Sequence, residues 1–497
     1  MPAQRMPSSR RRNVLEAGTK SFVNLLAVRE LDPRLRRDLF CILEESGAFE
    51  LVRDLDGWVI ATAPLDADCP SHDAEAEDTR VFFAEGRELF AEWSQLARMA
   101  ERAAKSPAQL DAFEGDFGFI ALAPSGLIAA RACGGCVPFY YLVSRTRYAV
   151  GTRLGFFPRF VDGSLNLDPL VAATWATAID FFPDGRSLLA GVKVLERGHV
   201  LSIDPHGTLR VQRYWDPRPR HLPRPSPERR REHADALRHE LLTALRANLD
   251  PRGRNLLTLS GGVDSSSLAA LSGKLGIPIS TLTFMPEASA VFERERVHVE
   301  RAHRAAKLLQ ARIVRLAPRT WFELQRQAPE SVVMVLHPAL CMLPDIAREL
   351  DIRVLFGGEF ADVVCGSTPT LKDWAAETSL FRLLTGLHAL PNGRSDIPDW
   401  FRYKLRLWLG RPYTRYPAEL PAIIRPSVRA EYAAWARARS REVARDPLPR
   451  PALPLYAEHV GFVAQNWEVC SELGIRRFYP FFSRRALELA YACHPVE

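Results

Sequence analysis

The sequence predicts two domains of different class: an α+β layered domain over residues 1–215 and an α/β domain with a parallel, doubly wound sheet over residues 232–497. Three observations carry this. Residues 216–231 (DPRPRHLPRPSPERRR) are dense in Pro and Arg, a composition that suits neither a helix interior nor a strand and marks a linker. Before it, short β-branched and aromatic runs are punctuated by turns, the pattern of antiparallel sheet. After it, strands alternate with helices, the pattern of a parallel sheet whose ligands bind beyond the carboxyl ends of the strands.

Taken in order, the N-terminal strands are expected at 50–53, 58–62, 117–122, 127–131, 139–143 and 148–151, with helices at 33–45, 86–105 and 168–178. In the C-terminal part a buried-type strand at 255–259 leads through a glycine turn into a helix at 265–275. Strands follow at 278–284, 311–316 and 352–356, separated by helices at 296–310 and 338–350.

Composition narrows the function. Of 497 residues, 47% are hydrophobic and 25% charged, which excludes a largely disordered or collagen-like chain. No apolar run approaches the roughly 18–20 residues of a membrane span, so no membrane partner is expected. Met1–Asn13 is basic but lacks an apolar core, so it reads as a frayed tail rather than a secretory signal, and the chain as cytoplasmic. The net charge of +7 suits an anionic ligand without calling for nucleic acid. Eight cysteines are too few for a disulfide scaffold, and the close pair Cys133-Gly134-Gly135-Cys136 precedes a strand rather than a helix, which suits reduced thiols better than a redox motif.

The strongest local signal is Ser260-Gly261-Gly262-Val263-Asp264-Ser265-Ser266, between the first C-terminal strand and a helix. Two glycines let backbone N–H groups turn outward, serine hydroxyls add donors, and the helix N-terminus adds partial positive charge. Together they form an anion cradle. Asp264 is explained if Mg²⁺ sits between carboxylate and phosphate. No Walker lysine follows.

This heptapeptide resembles the pyrophosphate loop of the ATP-pyrophosphatase superfamily (adenine nucleotide alpha hydrolase-like), as in asparagine synthetases. The resemblance continues through Glu114-Gly115-Asp116-Phe117-Gly118-Phe119 and Arg131–Tyr141, with Ala132 where the family has Asp. It includes Glu196-Arg197-Gly198-His199, Arg213-Tyr214-Trp215 and the block Gly474–Glu488. It implies a glutamine-amidotransferase-like N-terminal domain and an ATP-binding synthetase domain that uses ATP and Mg²⁺. A second loop, Phe356-Gly357-Gly358-Glu359-Phe360-Ala361-Asp362, resembles the family's S-G-E-G-x-D-E segment, with Val363 in place of Glu. By that match Asp264 and Asp362 are metal ligands, Glu359 is an acid/base residue, and Ser260, Gly261, Gly262, Asp264, Ser265, Ser266 and Gly358 bind ATP or pyrophosphate. Adenine is expected near Leu257 and Thr283–Phe284.

Glutamine-dependent synthetases release ammonia with an N-terminal cysteine whose free amine is the base. Here residue 2 is Pro and the first cysteine is Cys41, so the domain is expected to be inactive as a glutaminase. The amine must then come from the substrate, as in two relatives the chain resembles: β-lactam synthetases and lasso peptide macrocyclases. Residues 399–417, with five cations interleaved among six aromatics, suit an extended peptide, or equally an amphipathic helix with its arginines in water. The arginine-rich N-terminal tail and the Pro480–Arg485 ending resemble the lasso cyclases more closely. The expected partners are a precursor core peptide and, in the same bacterial natural-product pathway, a leader-peptide-binding protein and a cysteine protease. A small-molecule amide former and an inactive nucleotide-binding scaffold are the alternatives. The family carries a lysine beyond the final block; the last of seven lysines here is Lys404 and the sequence ends at Glu497, so truncation after the block is expected, with a substituting arginine or an incomplete step as the alternatives.

Overall fold

The computed structural model describes residues 23–45, 51–64, 73–76, 79–86, 100–112, 117–160, 166–176, 185–216, 226–316, 338–365, 420–445 and 460–493, apart from short gaps inside some of these ranges. Residues 1–13, 114–116, nearly all of 399–417 and most of the helix expected at 86–105 lie outside them.

The N-terminal strands are β1 (Val23–Glu30), β2 (Leu51–Leu55), β3 (Trp58–Pro64), β4 (Asp73–Ala76), β5 (Thr79–Gly86), β6 (Phe117–Ala123), β7 (Gly126–Arg131), β8 (Phe139–Val143), β9 (Arg147–Gly151), β10 (Lys193–Leu195), β11 (His199–Ile203) and β12 (Leu209–Arg213). They form two six-stranded sheets, ordered β10-β8-β9-β1-β3-β2 and β12-β11-β7-β6-β5-β4. Neighbouring strands run antiparallel. Alternation along β1 builds the layers. Leu25 and Ala27 enter a core shared with Ile120, Leu127 and Leu201 of the other sheet. Leu26 and Val28 face the opposite way, toward Leu43 of the helix Pro33–Glu45. The second sheet likewise turns Phe119, Ala121 and Ile128 toward Ala100 and Ala103. Two stacked sheets with helical cover on their outer faces are the layered α+β arrangement expected of a glutamine-amidotransferase-like domain.

The C-terminal strands are β13 (Asn255–Thr258), β14 (Ser280–Pro286), β15 (Ala311–Leu316), β16 (Val354–Gly357) and β17 (Arg476–Phe478). All pair in parallel, in the order β15-β14-β13-β16-β17. Both faces are covered, because Leu257 enters one apolar cluster and its neighbour Leu256 another. The order runs outward from β13 through β14 to β15 on one side and through β16 to β17 on the other. The direction of winding therefore reverses between β13 and β16, and a crevice opens past their carboxyl ends. β17 was not anticipated: two of its three residues are arginines, which carry no strand signal.

The expected linker over 216–231 is shorter than its composition suggests. The helix Pro227–Asn248 starts inside it, capped by Ser226, whose side chain accepts from the Arg229 N–H, and led by Pro227. Proline at a first helical position lacks only an N–H that has no partner there in any case, so the same residue that argued against a helix starts one. The helix Val460–Glu472 reaches back and puts Trp467 into the core between the N-terminal sheets. Arg484 completes the tie, donating to the Asp111 carbonyl at 2.6 Å and its carboxylate at 2.8 Å.

Candidate active site

The first loop leaves β13 and enters the helix Val263–Leu275. Gly261 adopts φ +85°, and a Cβ there would lie 2.9 Å from the Glu295 carbonyl, so the turn needs glycine for both conformation and space. Serines brace it from within. The Ser260 N–H donates to Ser265 Oγ at 3.1 Å, and the Gly262 N–H donates to Ser260 Oγ at 3.3 Å. Gly262 occupies the N-cap and supplies no side-chain acceptor. The first N–H groups of a helix have no acceptor within it, so the exposed helix start, with Val263 84% exposed, is free to take an anion.

The second loop leaves β16. Gly358 packs directly on the first loop: a Cβ on it would meet Ser265 N at 2.7 Å and Asp264 Cβ at 2.9 Å. Only glycine lets the two backbones approach this closely. The helix Ala361–Val364 then carries Asp362 in its first turn. Burial, and then the charge of Asp362, push the Asp264 carboxyl above its ordinary range, so Asp264 lies in the field of Asp362. The Cys365 thiol is pushed up to about 11 by burial and then by Asp264 and Asp362, which reports the same negative field. Hard carboxylate oxygens under mutual repulsion fit a small divalent cation. Among the described residues no group of three or more His, Cys, Asp or Glu side chains is placed to hold a metal alone. Mg²⁺ here would share its coordination with phosphate oxygens, as it commonly does.

Glu359 sits between these features and forms an ion pair with Arg477 of β17. Arg477 is buried in a strand. Burial alone would lower its pKa, but Glu359, with smaller help from Tyr479 and Cys470, more than offsets this and raises it. The pair engages Glu359 Oε1, while Oε2 is buried without a hydrogen-bond partner among the described residues. One carboxylate oxygen is thus fixed, and the other keeps an unused acceptor position among the described residues. Between Glu359 and Asp362, Phe360 adopts φ +68°, a left-handed conformation costing roughly 1–2 kcal/mol for a residue with a side chain. Its ring lies 5.1 Å from that of Tyr479 and 4.4 Å from that of Phe482, so packing holds the backbone in this shape.

Ser260, Gly261, Gly262, Asp264, Ser266, Gly358, Glu359 and Asp362 are therefore brought together by the two loops. Two expected residues play other parts. Ser265 is 4% exposed and its hydroxyl contacts Ser260 and the Gly262 carbonyl, so it shapes the turn rather than offering a hydroxyl to phosphate. Leu257 is fully buried and stands inside the ladder, paired with Thr281 on one side and Phe356 on the other, so its backbone is engaged rather than open to adenine. Leu259 holds the strand-end position instead. Its N–H donates to the Leu282 carbonyl at 2.9 Å, and its own carbonyl accepts from Thr283 Oγ1 at 2.6 Å. Thr283 thus fixes the spacing of the strand ends, and Phe284 lies two residues past the last β13–β14 pair, at the rim of the crevice. Sequence reasoning missed Arg477. Its signal was two adjacent arginines in an otherwise apolar block.

Residues 236–470 match the asparagine synthase family, a segment that contains both glycine loops. No curated protein matches the chain. Among solved structures, the allosteric regulatory enzyme of purine biosynthesis shares 10% identity over 59% of this chain and 80% of that one, with a TM-score of 0.24. Glutamine phosphoribosylpyrophosphate amidotransferase from B. subtilis shares 10% identity over 68% of this chain and 91% of that one, with a TM-score of 0.25. NH3-dependent NAD synthetase from Campylobacter jejuni subsp. jejuni shares 10% identity over 43% of this chain and 94% of that one, with a TM-score of 0.21.

Proposed function

We propose that this ATP-dependent C–N ligase, asparagine synthetase-like across its C-terminal domain, closes a macrolactam on a precursor core peptide. The observation that carries the reading is the close packing of the two loops, Gly358 against Asp264 and Ser265, which sets Asp264 in the field of Asp362. A side-chain carboxylate of the peptide attacks the α-phosphorus of ATP. The bond to the β-phosphate breaks and pyrophosphate departs toward the N-terminus of the helix Val263–Leu275. Asp264 and Asp362 would hold Mg²⁺, which when bound would supply neutralising charge for that leaving group. The peptide's N-terminal amine then attacks the acyl carbon. The amide forms, AMP leaves, and one proton is released. Glu359 Oε2 accepts a hydrogen bond from the attacking amine, while Arg477 keeps the carboxylate in place.

A substrate-borne amine is supported by the N-terminal cysteines. Cys41 lies inside the helix Pro33–Glu45, where its nitrogen is part of a peptide bond and cannot serve as a free base. Among the described residues Cys133 and Cys136 are buried, and Cys69, outside them, is likewise internal to the chain. The N-terminal domain is therefore inactive as a glutaminase in this reading. Holding amine and acyl group in one molecule replaces a bimolecular encounter, worth up to about 7–11 kcal/mol when well oriented. A leader-peptide-binding protein and a cysteine protease would deliver the cleaved peptide to a cytoplasmic enzyme.

ATP–pyrophosphate exchange tests this. Exchange that depends on a peptide with an acidic side chain, followed by a product lighter by one water, is expected. Exchange with aspartate or a carboxyethyl amino acid instead assigns a small-molecule amide former. ATP binding with no exchange on any carboxylate assigns a scaffold.

A further inference from the structure

The turn Glu196-Arg197-Gly198-His199 belongs to the N-terminal domain, yet one of its side chains lies against the synthetase loops. It joins β10 to β11 and is fixed from several directions. The Gly198 N–H donates to the Arg131 carbonyl at 3.1 Å, and the Tyr214 N–H donates to the Gly198 carbonyl at 2.9 Å. Arg131 Nη1 donates to the Leu195 carbonyl at 2.9 Å. Gly198 has φ +66°, and a Cβ there would lie 3.2 Å from the Trp215 side chain. From this anchored turn the Arg197 guanidinium, in a residue only 8% exposed, extends over the Phe482 ring at 4.1 Å and the Phe360 ring at 5.9 Å.

Those two rings come from different parts of the candidate site. Phe360 is the left-handed residue between Glu359 and Asp362. Phe482 closes the turn Pro480–Phe482 that follows β17 and its Arg477. One cation therefore covers the junction of the loop that carries the carboxylates and the segment that carries their partner. The arrangement works against burial and like charge: burial, and then the neighbouring Arg197, bring Arg131 down to about 9. The faces of Phe482 and Phe360 attract the desolvated guanidinium.

We propose that Arg197 is a positioning residue, by which the N-terminal domain holds Phe360 in its left-handed conformation and so places Glu359 and Asp362 for reaction. This rests on the reading of Glu359 and Asp362 given above. It gives the N-terminal domain a task that needs no nucleophile.

The test compares Arg197→Met and Arg197→Lys in the full chain. Arg197→Met keeps an unbranched apolar stem and removes the cation. Loss of a desolvated cation–π contact predicts a kcat for exchange lower by about 5- to 30-fold and a rise of similar size in the Mg²⁺ concentration giving half-maximal rate. KM for ATP stays unchanged. Arg197→Lys restores most of the rate because the cation is kept. In a Phe360→Gly background, where glycine accepts φ > 0 at no steric cost, Arg197→Met has no further effect. Wild-type kcat and Mg²⁺ dependence in folded Arg197→Met overturns the proposal. So does an equal loss in the Lys and Met variants with a lowered thermal midpoint, which marks packing alone, or additivity with Phe360→Gly. If the wild-type chain exchanges with no carboxylate, the functional reading fails separately. Arg197 is then judged by tryptophan fluorescence in a titration of ATP-loaded protein with Mg²⁺, where an unshifted midpoint in Arg197→Met overturns the proposal and a rightward shift supports it.

Discussion

Replacing Arg477 by methionine removes the charge that faces Glu359 while keeping a long apolar stem in β17. Replacing Glu359 by glutamine removes the other charge. The two losses differ because the partners differ in burial: the Arg477 side chain is 3% exposed and that of Glu359 28%. Stranding one member of a fully buried pair costs about 3–5 kcal/mol. The Glu359 side chain keeps part of its exposure, so a rotation can return its carboxylate to water, and Arg477→Met is expected to cost about 1–2 kcal/mol. A stranded guanidinium has no such relief, since it sits in the sheet and cannot give up its proton, although glutamine still offers it an amide oxygen. Glu359→Gln is therefore expected to cost about 2–4 kcal/mol. At 2–4 °C per kcal/mol for a domain of this size, thermal midpoints fall by roughly 2–8 °C for Arg477→Met and roughly 4–16 °C for Glu359→Gln. The double variant recovers much of the loss, because no charge is left without a partner. Differential scanning calorimetry of the four proteins reads this directly. The reverse order of the single variants, or strict additivity in the double, would refute a buried pair whose guanidinium depends on Glu359.

Asp264→Asn removes one of two facing carboxylates, so its thermal midpoint without divalent cation should exceed that of wild type, and Mg²⁺ should no longer raise it. Because the fold raises the Asp264 pKa, this side chain's contribution to stability is fullest below the ordinary carboxylate value near about pH 4 and is lost as pH rises through the raised value. The stability gap between Asp264→Asn and metal-free wild type should accordingly shrink on acidification, and a gap that widens contradicts the assignment. Gly358→Ala pushes the two loops apart at Asp264 and Ser265, and a displacement of about 1 Å at a reacting site lowers exchange by roughly 10²-fold, with the thermal midpoint much less affected. Gly261→Ala puts a side chain at φ +85° against the Glu295 carbonyl and should lose at least the roughly 1–2 kcal/mol of a left-handed L-residue, measured by urea denaturation.

Much of this was legible from local pattern. The strands at 139–143 and 311–316 and the helices at 33–45 and 338–350 formed with the expected bounds, because each has strong periodicity and clear breakers at its ends. The first glycine loop is legible from turn chemistry alone, and the second from its resemblance to a family segment. What failed has physical causes as well. The linker ends early because Ser-Pro followed by charged helix formers is a helix start whatever the composition around it. A hydroxyl in a cradle can face outward or inward, and only the packed loop shows that Ser265 turns inward. Adenine is expected near the Leu257 backbone, but only the strand pairing shows that this backbone is engaged with both neighbouring strands.

By itself the sequence determined the pieces: a strand, a glycine turn and a helix start carrying Asp264, and a second strand and turn carrying Glu359 and Asp362. These depend on backbone conformations that neighbouring residues dictate. Their meeting was decided by the tertiary structure. β16 lies beside β13, so the two aspartates share one field. β17 lies beside β16, so Arg477 faces Glu359, and the N-terminal domain docks where Arg197 covers Phe360 and Phe482. Strand order and domain docking are set by which apolar faces bury each other across the whole chain, and no window of neighbouring residues contains that choice.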